Sequence, residues 1–243
     1  MHIRLATYAD QVAWDDYVLK QSNGTAYQLF AWRQAVEEAY AFKGRYILAE
    51  DGTGICGLLP LIDFRIPLLG RTLISLPYCD AGGVLAKNDE VEQALLDYAY
   101  AMAMQQNSEC TIRAVRPLPK TRANQTDKVR MLLDLPSSAA QLQKNLNAKV
   151  RSQVKKPVRD GLTVKVGASE LVNEFYGVFA ENMRSLGSPV HSHQWIESIV
   201  TAYGDRARVV IVRTPEGVPA AAGVILMHPS TVSVPWASSL RRY

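Results

Sequence analysis

The sequence has few cysteines, and they form no arrangement that suggests a function. Cys56, Cys79 and Cys110 are odd in number and far apart. They supply neither a CxxC pair nor an even disulfide framework, so a reducing cytoplasm is the expected setting. Metal binding is not expected either. His191 and His193 alternate, but no carboxylate or cysteine stands at ligand spacing near them.

Long apolar segments are missing as well. The N-terminal "MHIRLATYADQ" has no apolar core that could serve as a signal peptide. The longest nearly apolar run, 218–227, is too short to span a bilayer and contains Pro219 and Gly223. Neither a GxSxG motif nor a credible Cys–His pair is present, so no strong side-chain nucleophile is expected. We expect a soluble, cytoplasmic protein without a transmembrane segment.

The positive charge is concentrated in one part of the chain. Residues 113–161 hold 12 basic and 3 acidic side chains, whereas residues 1–112 hold 8 and 14, and the net charge of the whole is +4. A basic segment between acidic and near-neutral sequence favours a local anion-binding surface over a general nucleic-acid coat. A solvated basic face remains the alternative.

The order of predicted elements indicates an α/β (α+β) fold with mixed sheets. Hydrophobic periodicity and turn residues predict β–α–α–β–β–β–α–β–β over residues 1–136, the last strand being 129–135. The order β–α–α–β–β begins again at residue 162 and stops at residue 243. We therefore predict two related domains, 1–136 and 162–243, joined by a basic helix in 137–161. The second domain lacks its final elements, which we interpret as truncation.

The joining helix carries a row of cations on one side. At 100° per residue these side chains fall within about 80° of one another. The apolar positions 146, 150, 154 and 158 lie on a different arc and are expected to be buried against a domain. Pro157 is expected to kink or end this helix near Lys155. The predicted anion-binding residues are Lys144, Arg151, Lys155 and Arg159.

Two further segments carry candidate site residues. In "PYCDAGGVL", Tyr78 and Asp80 follow a strand, and the two glycines would let the backbone approach a ligand. Asp80 is the candidate group to orient an attacking amine or accept its proton. An Asx-type turn is the structural alternative.

The second such segment is "GSPVHSHQW", where His191 is a candidate substrate contact and Ser192 or His193 a helix N-cap. In "VSVPWASSL", which alternates like a strand, Trp236 is expected to line a cleft.

Several short segments, in this order, resemble one family. They are "FAWRQAVEEAY", "SLPYCDAGGVL", "KVRSQVKKPVRDGL", "MRSLGSPV" and "PWASSLRRY". The chain resembles FemAB-like acyltransferases, which are built from tandem GNAT-type domains, and among them the FemAB-related proteins of exosortase (PEP-CTERM) systems. The resemblance implies that tandem GNAT-like domains with mixed central sheets form the fold, the second being incomplete.

The resemblance also implies a function. It suggests transfer of an aminoacyl or acyl group from aminoacyl-tRNA or an acyl-CoA-like donor to an amine. The acceptor would be an anionic cell-envelope precursor, such as one of peptidoglycan or exopolysaccharide. The donor acts as a co-substrate, no cofactor is implied, and tRNA is a candidate partner. Relatives place substrate-binding Tyr and Asp near Tyr78 and Asp80, and a phosphate contact at Arg151.

One motif bears on the choice between aminoacyl-tRNA and acyl-CoA as the donor. "QSNGTA" formally matches the pyrophosphate loop of GNAT enzymes, but it lies between two helices rather than between a strand and a helix. The absence of a true loop of this type favours aminoacyl-tRNA over acyl-CoA. The alternatives to an enzyme are a non-catalytic module that binds precursor phosphates or RNA, and a truncated, inactive acyltransferase.

Overall fold

The N-terminal part of the chain folds into two sheets and the helices that accompany them. A computed structural model describes residues 1–66, 70–118 and 129–243. The elements up to residue 111 are β1 (His2–Leu5), α1 (Gln11–Lys20), α2 (Phe30–Tyr40), β2 (Lys43–Gly44), β3 (Ile47–Asp51), β4 (Gly54–Leu59), β5 (Ile62–Ile66), β6 (Gly70–Ile74), β7 (Leu85–Ala86), α3 (Asp89–Gln105) and β8 (Glu109–Thr111).

These strands pair in both directions. One sheet has the order β1-β3-β4-β7 and the other β2-β5-β6-β8. Strand β6 pairs with β5 antiparallel and with β8 parallel, and α3 lies in the connection that leads to β8. This confirms the predicted mixed sheet, and α3 supplies the crossover connection that parallel neighbours need.

The C-terminal part begins with helices and ends in a sheet. Its elements are α4 (Ala139–Asn145), α5 (Ala148–Arg159), β9 (Thr163–Gly167), α6 (Val172–Ser185), α7 (His193–Tyr203), β10 (Ala207–Arg213), β11 (Pro219–His228) and β12 (Thr231–Ser239). The sheet has the order β12-β11-β10-β9. Strands β10 and β9 pair antiparallel, from Val209 opposite Gly167 to Arg213 opposite Thr163.

The chain divides into two compact units whose segments alternate along the sequence. The first unit comprises Met1–Asn124, His191–Arg208 and Val224–Trp236. The second comprises Gln125–Val190, Val209–Gly223 and Ala237–Tyr243. The boundaries proposed from the sequence, at residues 136 and 161, stay a prediction.

The core of the first unit forms where apolar helix faces meet. Helix α2 buries Trp32 and Val36, four residues apart, and packs on α7, which buries Trp195 and Ile199 at the same spacing. Full burial of such side chains stabilises the fold by about 1.5–3 kcal/mol each. The paired faces of α2 and α7 therefore fix the loops that precede and follow these helices.

A second contact, between α3 and β4, depends on a glycine. A Cβ on Gly57 of β4 would lie 2.6 Å from Cγ1 of Val91 and 3.0 Å from Cδ1 of Leu95. The absence of a side chain at this position lets α3 pack closely on the strand. Asn88 caps the same helix, its side chain accepting a hydrogen bond from the Val91 N–H at 3.0 Å.

Three expectations about the middle of the chain are wrong. Residues 129–136 form no strand, because their backbone joins no described sheet, and Met131 is 88% exposed. The predicted single helix is two, since Asn147 caps a new one with its side chain on the Val150 N–H. Helix α5 also runs through Pro157, which stands in its last turn and cannot donate the backbone hydrogen bond that a helical residue makes to the preceding turn.

The apolar arc of the joining helix is the fourth correction. None of the four positions expected to be buried is buried: Val154 is 53% and Val158 72% exposed, whereas Leu146 and Val150 are partly exposed. The described residues contain no helix with both the length and the apolar character needed to cross a bilayer.

Candidate functional site

The loop that links β6 to β7 has an unusual backbone. Leu76 and Tyr78 both have positive φ, 51° and 66°, although neither is glycine. Such conformations are unfavourable for residues with a side chain, and they persist only where surrounding contacts hold them. The loop therefore has two strained residues that are separated by a single position. They lie in the segment that the sequence analysis identified as a candidate site.

Contacts from two directions hold this loop. The buried Ser75 accepts a hydrogen bond on Oγ from the Arg113 N–H at 2.6 Å, and Arg113 Nη1 donates to the Cys79 carbonyl at 2.8 Å. On the other side, Trp32 Nε1 donates to the Pro77 carbonyl at 3.2 Å. These bonds use backbone groups that a regular strand would have paired, and they compensate for the strain.

The two glycines of the loop, Gly82 and Gly83, allow neighbouring residues of the protein to pack closely on its backbone. A Cβ on Gly82 would lie 2.7 Å from Leu76 Cδ1, and one on Gly83 would lie 3.2 Å from the Arg113 carbonyl oxygen. Gln28 Nε2 also donates to the Gly83 carbonyl at 2.9 Å. The close approach at these glycines is thus made by neighbouring parts of the protein.

The loop turns the Tyr78 ring into a group of aromatic side chains. Its centroid lies 4.8 Å from that of His191, 5.3 Å from Tyr40 and 5.4 Å from Trp195. Burial, with a smaller contribution from Tyr40, raises the pKa of Tyr78 to about 12. At neutral pH the half-buried hydroxyl is therefore protonated and can donate a hydrogen bond.

His191 lies beside Tyr78 and is half-buried. Burial lowers the pKa of this imidazole, because the charged form loses hydration. Its Nδ1 lies 3.4 Å from the Tyr40 hydroxyl, and its ring centroid lies 6.0 Å from that of Trp236. The neutral imidazole, which has one nitrogen able to accept a proton, is favoured at pH 7.

Trp236, on β12, is nearly buried at the same place. It is 7% exposed and stacks on Trp32, with centroids 6.5 Å apart and 12° between the planes. Trp195 meets it edge to face at 6.1 Å. The structure thus brings together three predicted site residues: Tyr78, His191 and Trp236. We call Trp32, Tyr40, Tyr78, His191, Trp195 and Trp236, all in the first unit, the aromatic cluster.

Asp80 follows Tyr78 by two residues but is exposed. Its neighbour Cys79 is buried, and burial raises the pKa of that thiol to about 12. Cys79 is thus an inert thiol at neutral pH, whereas the carboxylate of Asp80 is open to solvent. Of the two polar side chains, Asp80 is the one that a ligand can reach.

The predicted cations lie in the second unit, on α4 and α5. Arg151 Nη1 donates to the carbonyls of Lys144, at 3.3 Å, and Leu146, so it caps the C-terminal end of α4. Lys144, Lys155 and Arg159 are exposed, and Arg159 lies 3.4 Å from Asp160. One predicted anion contact thus has a structural task, and the other three face solvent.

Three members of the aromatic cluster, Trp32, Tyr40 and Trp195, were not predicted as site residues from the sequence. Tyr40 ends α2, and Trp195 lies in the first turn of α7, whose N-cap is Ser192 as predicted, accepting from the Trp195 N–H at 3.1 Å. His191 lies before α7, which begins at His193, so its spacing to Trp195 gave no helical signal. Tyr40 gave none, because an aromatic residue at a helix end is ordinary core.

One cavity of the first unit is lined by residues that were not predicted as site residues. An open hollow of about 710 Å³ has a lining, among the described residues, of Phe64, Gly70, Arg71, Thr72, Met104, Asn107, Ser108 and Glu109. Over the part of the chain that is described, no three His, Cys, Asp or Glu side chains come together as metal ligands would.

The comparisons with known proteins agree on the fold. The model of the FemAB family matches residues 120–217, which include α5. A crystal structure of FemX superimposes with a TM-score of 0.70 at 14% identity, covering 100% of this chain and 81% of that one. This chain has the fold of FemX. The α/β fold with mixed sheets, predicted from the element order, is confirmed.

Other solved structures share the fold more distantly. L-PGS from Bacillus licheniformis matches with a TM-score of 0.53 at 11% identity, covering 99% of this chain and 70% of that one. The C-terminal domain of a putative lysylphosphatidylglycerol synthetase from Agrobacterium fabrum gives 0.52 at 13%, covering 98% and 70%. No curated protein matches the sequence.

Proposed function

We propose that the protein is an N-acyltransferase. It moves an aminoacyl or acyl group from aminoacyl-tRNA, or from an acyl-CoA-like donor, to an amine of an anionic cell-envelope or polysaccharide precursor. The observation that carries the proposal is the strained loop that turns Tyr78 against His191 in the aromatic cluster, with Asp80 exposed beside it. The FemX fold and the partial match to the FemAB family support the type of reaction.

The reaction needs orientation more than a nucleophilic side chain. The acceptor nitrogen forms a bond to the acyl carbon, and the C–O bond of an ester or the C–S bond of a thioester breaks. The attacking amine loses a proton, and the leaving oxygen or sulfur gains one. Positioning two reactants in this way supplies much of the rate acceleration, so the absence of a reactive serine or cysteine is compatible with the chemistry.

The groups near the loop match these needs. In the proposed reaction the Tyr78 hydroxyl, protonated at neutral pH, donates a hydrogen bond to the developing oxyanion. Asp80, open to solvent, accepts the proton of the attacking amine or orients it. The indole faces of the aromatic cluster provide the apolar surroundings that strengthen such bonds.

The exposed cations of the second unit are proposed to bind an anionic group. Lys155 and Arg159 are exposed. Both side chains can bind phosphate groups, the lysine as a compact charge and the arginine in a bidentate manner. Arg151 remains a candidate for the same role, although it also caps α4. The proposed location is the cytoplasm, where an aminoacyl-tRNA or acyl-CoA donor would be met.

The test is a transfer assay with purified protein. Labelled aminoacyl-tRNA and acetyl-CoA are each supplied with a panel of amine acceptors, and formation of amide product is measured. Asp80→Asn should lower kcat by about 100-fold while donor binding is retained. Asp205→Asn, which removes an exposed carboxylate elsewhere in the first unit, is the matched control and should leave kcat unchanged.

The alternative to an enzyme is a module that only binds anions. Binding of precursor with no transfer from either donor, in the native protein, would contradict the proposed function and favour that alternative. Strong salt dependence of binding is expected in both cases and does not separate them.

A further inference from the structure

A single buried carboxylate on β5 is surrounded by three arginines. The Asp63 side chain is 1% exposed, and Arg71 donates to it through Nε at 2.6 Å and Nη2 at 2.5 Å. Arg65 lies 3.4 Å from it, and Arg45 lies 3.8 Å from it. All four residues belong to the first unit, and they lie outside the aromatic cluster.

The pairing of the strands brings these side chains to one face. Arg65 on β5 is directly opposite Arg71 on β6, and Asp63 is directly opposite Lys43 on β2. The Arg45 N–H, bonded to the Leu61 carbonyl at 2.7 Å, continues the β2–β5 pairing. Residues two apart on a strand share a face, so the arginines and Lys43 converge with Asp63.

The charges of this group do not balance. Burial by itself would raise the pKa of Asp63, but hydrogen bonds from Arg71 and Arg65 overcome it and hold the pKa below its usual range. Asp63 is therefore ionised at neutral pH and neutralises one of the three guanidinium groups. Like charges directly opposite each other in a sheet are destabilising. A bound anion would therefore reduce the repulsion between Arg65 and Arg71.

The arginines also have donors to spare. Each guanidinium carries five N–H groups, more than one carboxylate can accept. Among the described residues, the buried Nε of Arg45 has no hydrogen-bond partner. Arg65 is 61% exposed, and its two contacts with Asp63 are long, at 3.4 Å each.

Another arginine of the first unit shows what a purely structural cluster looks like. Arg4 lies between two carboxylates, 2.7 Å from Asp10 and 3.0 Å from Glu50. There, negative charge exceeds positive charge and the guanidinium is saturated by short bonds. The group around Asp63 has the opposite balance, which is the balance expected of a site for an anion.

We propose that Arg45, Arg65 and Arg71 bind the phosphate or diphosphate group of a small ligand on this face of the sheet. Guanidinium forks match phosphate oxygens in a bidentate manner, and Asp63 holds the arginines in place when the ligand is absent. The three side chains converge on one point instead of following a line, which suits a single compact group better than the backbone of a nucleic acid. The site is independent of the proposed transfer reaction.

The test measures binding of small anions by calorimetry, without turnover. Pyrophosphate, glycerol 3-phosphate and sulfate are compared at matched ionic strength, so that a diphosphate, a phosphate monoester and a non-phosphate anion are distinguished. One of the two phosphate compounds should bind more tightly than sulfate. Arg65→Gln, at the most exposed position, should weaken this binding about tenfold, and Arg65→Lys should weaken it less.

Arg45→Gln is expected to weaken binding as Arg65→Gln does. The control is Arg241→Gln, which removes an exposed arginine from the second unit, and this variant should bind the anions as the native protein does. Circular dichroism and the melting temperature of each variant establish that it is folded. The proposal is overturned if sulfate binds as tightly as both phosphates, or if the folded Arg65→Gln and Arg45→Gln variants bind unchanged. Binding of double-stranded RNA without measurable binding of the small anions would also overturn it.

Discussion

The ring of Tyr78 meets the imidazole of His191 edge to face, with centroids 4.8 Å apart and 76° between the planes. These residues are more than 100 positions apart in the sequence. Tyr78 reaches this position from a backbone conformation that a residue with a side chain rarely adopts. The contact therefore joins local strain to tertiary packing, a combination that is common at functional sites.

Replacing Tyr78 by phenylalanine tests the proposed role of its hydroxyl. Tyr78→Phe keeps the ring and its contacts with His191, so the melting temperature should change little. If the hydroxyl donates to the oxyanion, kcat in the transfer assay should fall by about 100-fold. Tyr98→Phe on α3 removes a hydroxyl elsewhere in the first unit and should have normal kcat. A Tyr78→Phe variant with native kcat would contradict the role.

Gly82 should not tolerate a side chain. In Gly82→Ala the new Cβ would lie 2.7–2.8 Å from three side-chain carbons of Leu76, including its Cβ, so the loop must move. We expect a loss of about 1–3 kcal/mol in the free energy of unfolding, measured by urea denaturation, and a fall in transfer activity. Gly177→Ala on α6 has nothing within 4 Å of the new Cβ and should be as stable as the native protein or slightly more so.

Asp15 should make stability depend on pH. Burial raises the pKa of Asp15 to about 6 from 3.8, although its carboxylate accepts the Phe30 N–H at 2.7 Å. The folded state thus favours the neutral carboxyl, a contribution that is present below pH 3.8 and is lost as pH rises through 6. Asp15→Asn keeps an acceptor for Phe30 without the charge.

This variant should therefore be more stable than the native protein at pH 7.5, by at most about 3 kcal/mol, and nearly equal to it at pH 4. Urea denaturation at a series of pH values measures the difference. Asp16→Asn alters the exposed neighbouring carboxylate and should show no such pH-dependent gain. A gain for Asp15→Asn that is as large at pH 4 as at pH 7.5 would argue for another cause.

Pro157 is expected to destabilise the helix that contains it. It stands inside α5 and has no N–H to donate to the preceding turn. Pro157→Ala should raise the stability of the second unit by about 1–2 kcal/mol, because the gain in helix propensity exceeds the added entropy of the unfolded chain. Thermal unfolding followed by circular dichroism measures it. Val158→Ala, at the exposed next position, should change stability by less than about 0.5 kcal/mol.

Local patterns were sufficient for many of the elements. Apolar residues recur at helical spacing in residues 29–40, and the structure has a helix at Phe30–Tyr40. The order strand, helix, strand is also typical of parallel pairing, and β6 and β8, with α3 between them, pair in parallel. The strand predicted for residues 129–135 failed because alternation indicates a strand only where a neighbouring edge can pair with it.

The candidate site was predicted only in part for the same reason. Motif spacing pointed to Tyr78, His191 and Trp236, which the structure places in one cluster, and to Asp80, which is exposed beside it. It gave no indication of Trp195, whose contribution depends on how α7 packs on α2. It also missed the group around Asp63, since strand register, and not spacing, places Arg65 opposite Arg71.

The sequence by itself determined the α/β class, several of the helices and the concentration of positive charge in residues 113–161, because these depend on local periodicity and composition. Only the tertiary structure decided which of those charges face solvent and that Arg151 caps α4. It also decided that Leu76 and Tyr78 have positive φ, since contacts from Trp32 and Arg113 hold a backbone that local preference opposes.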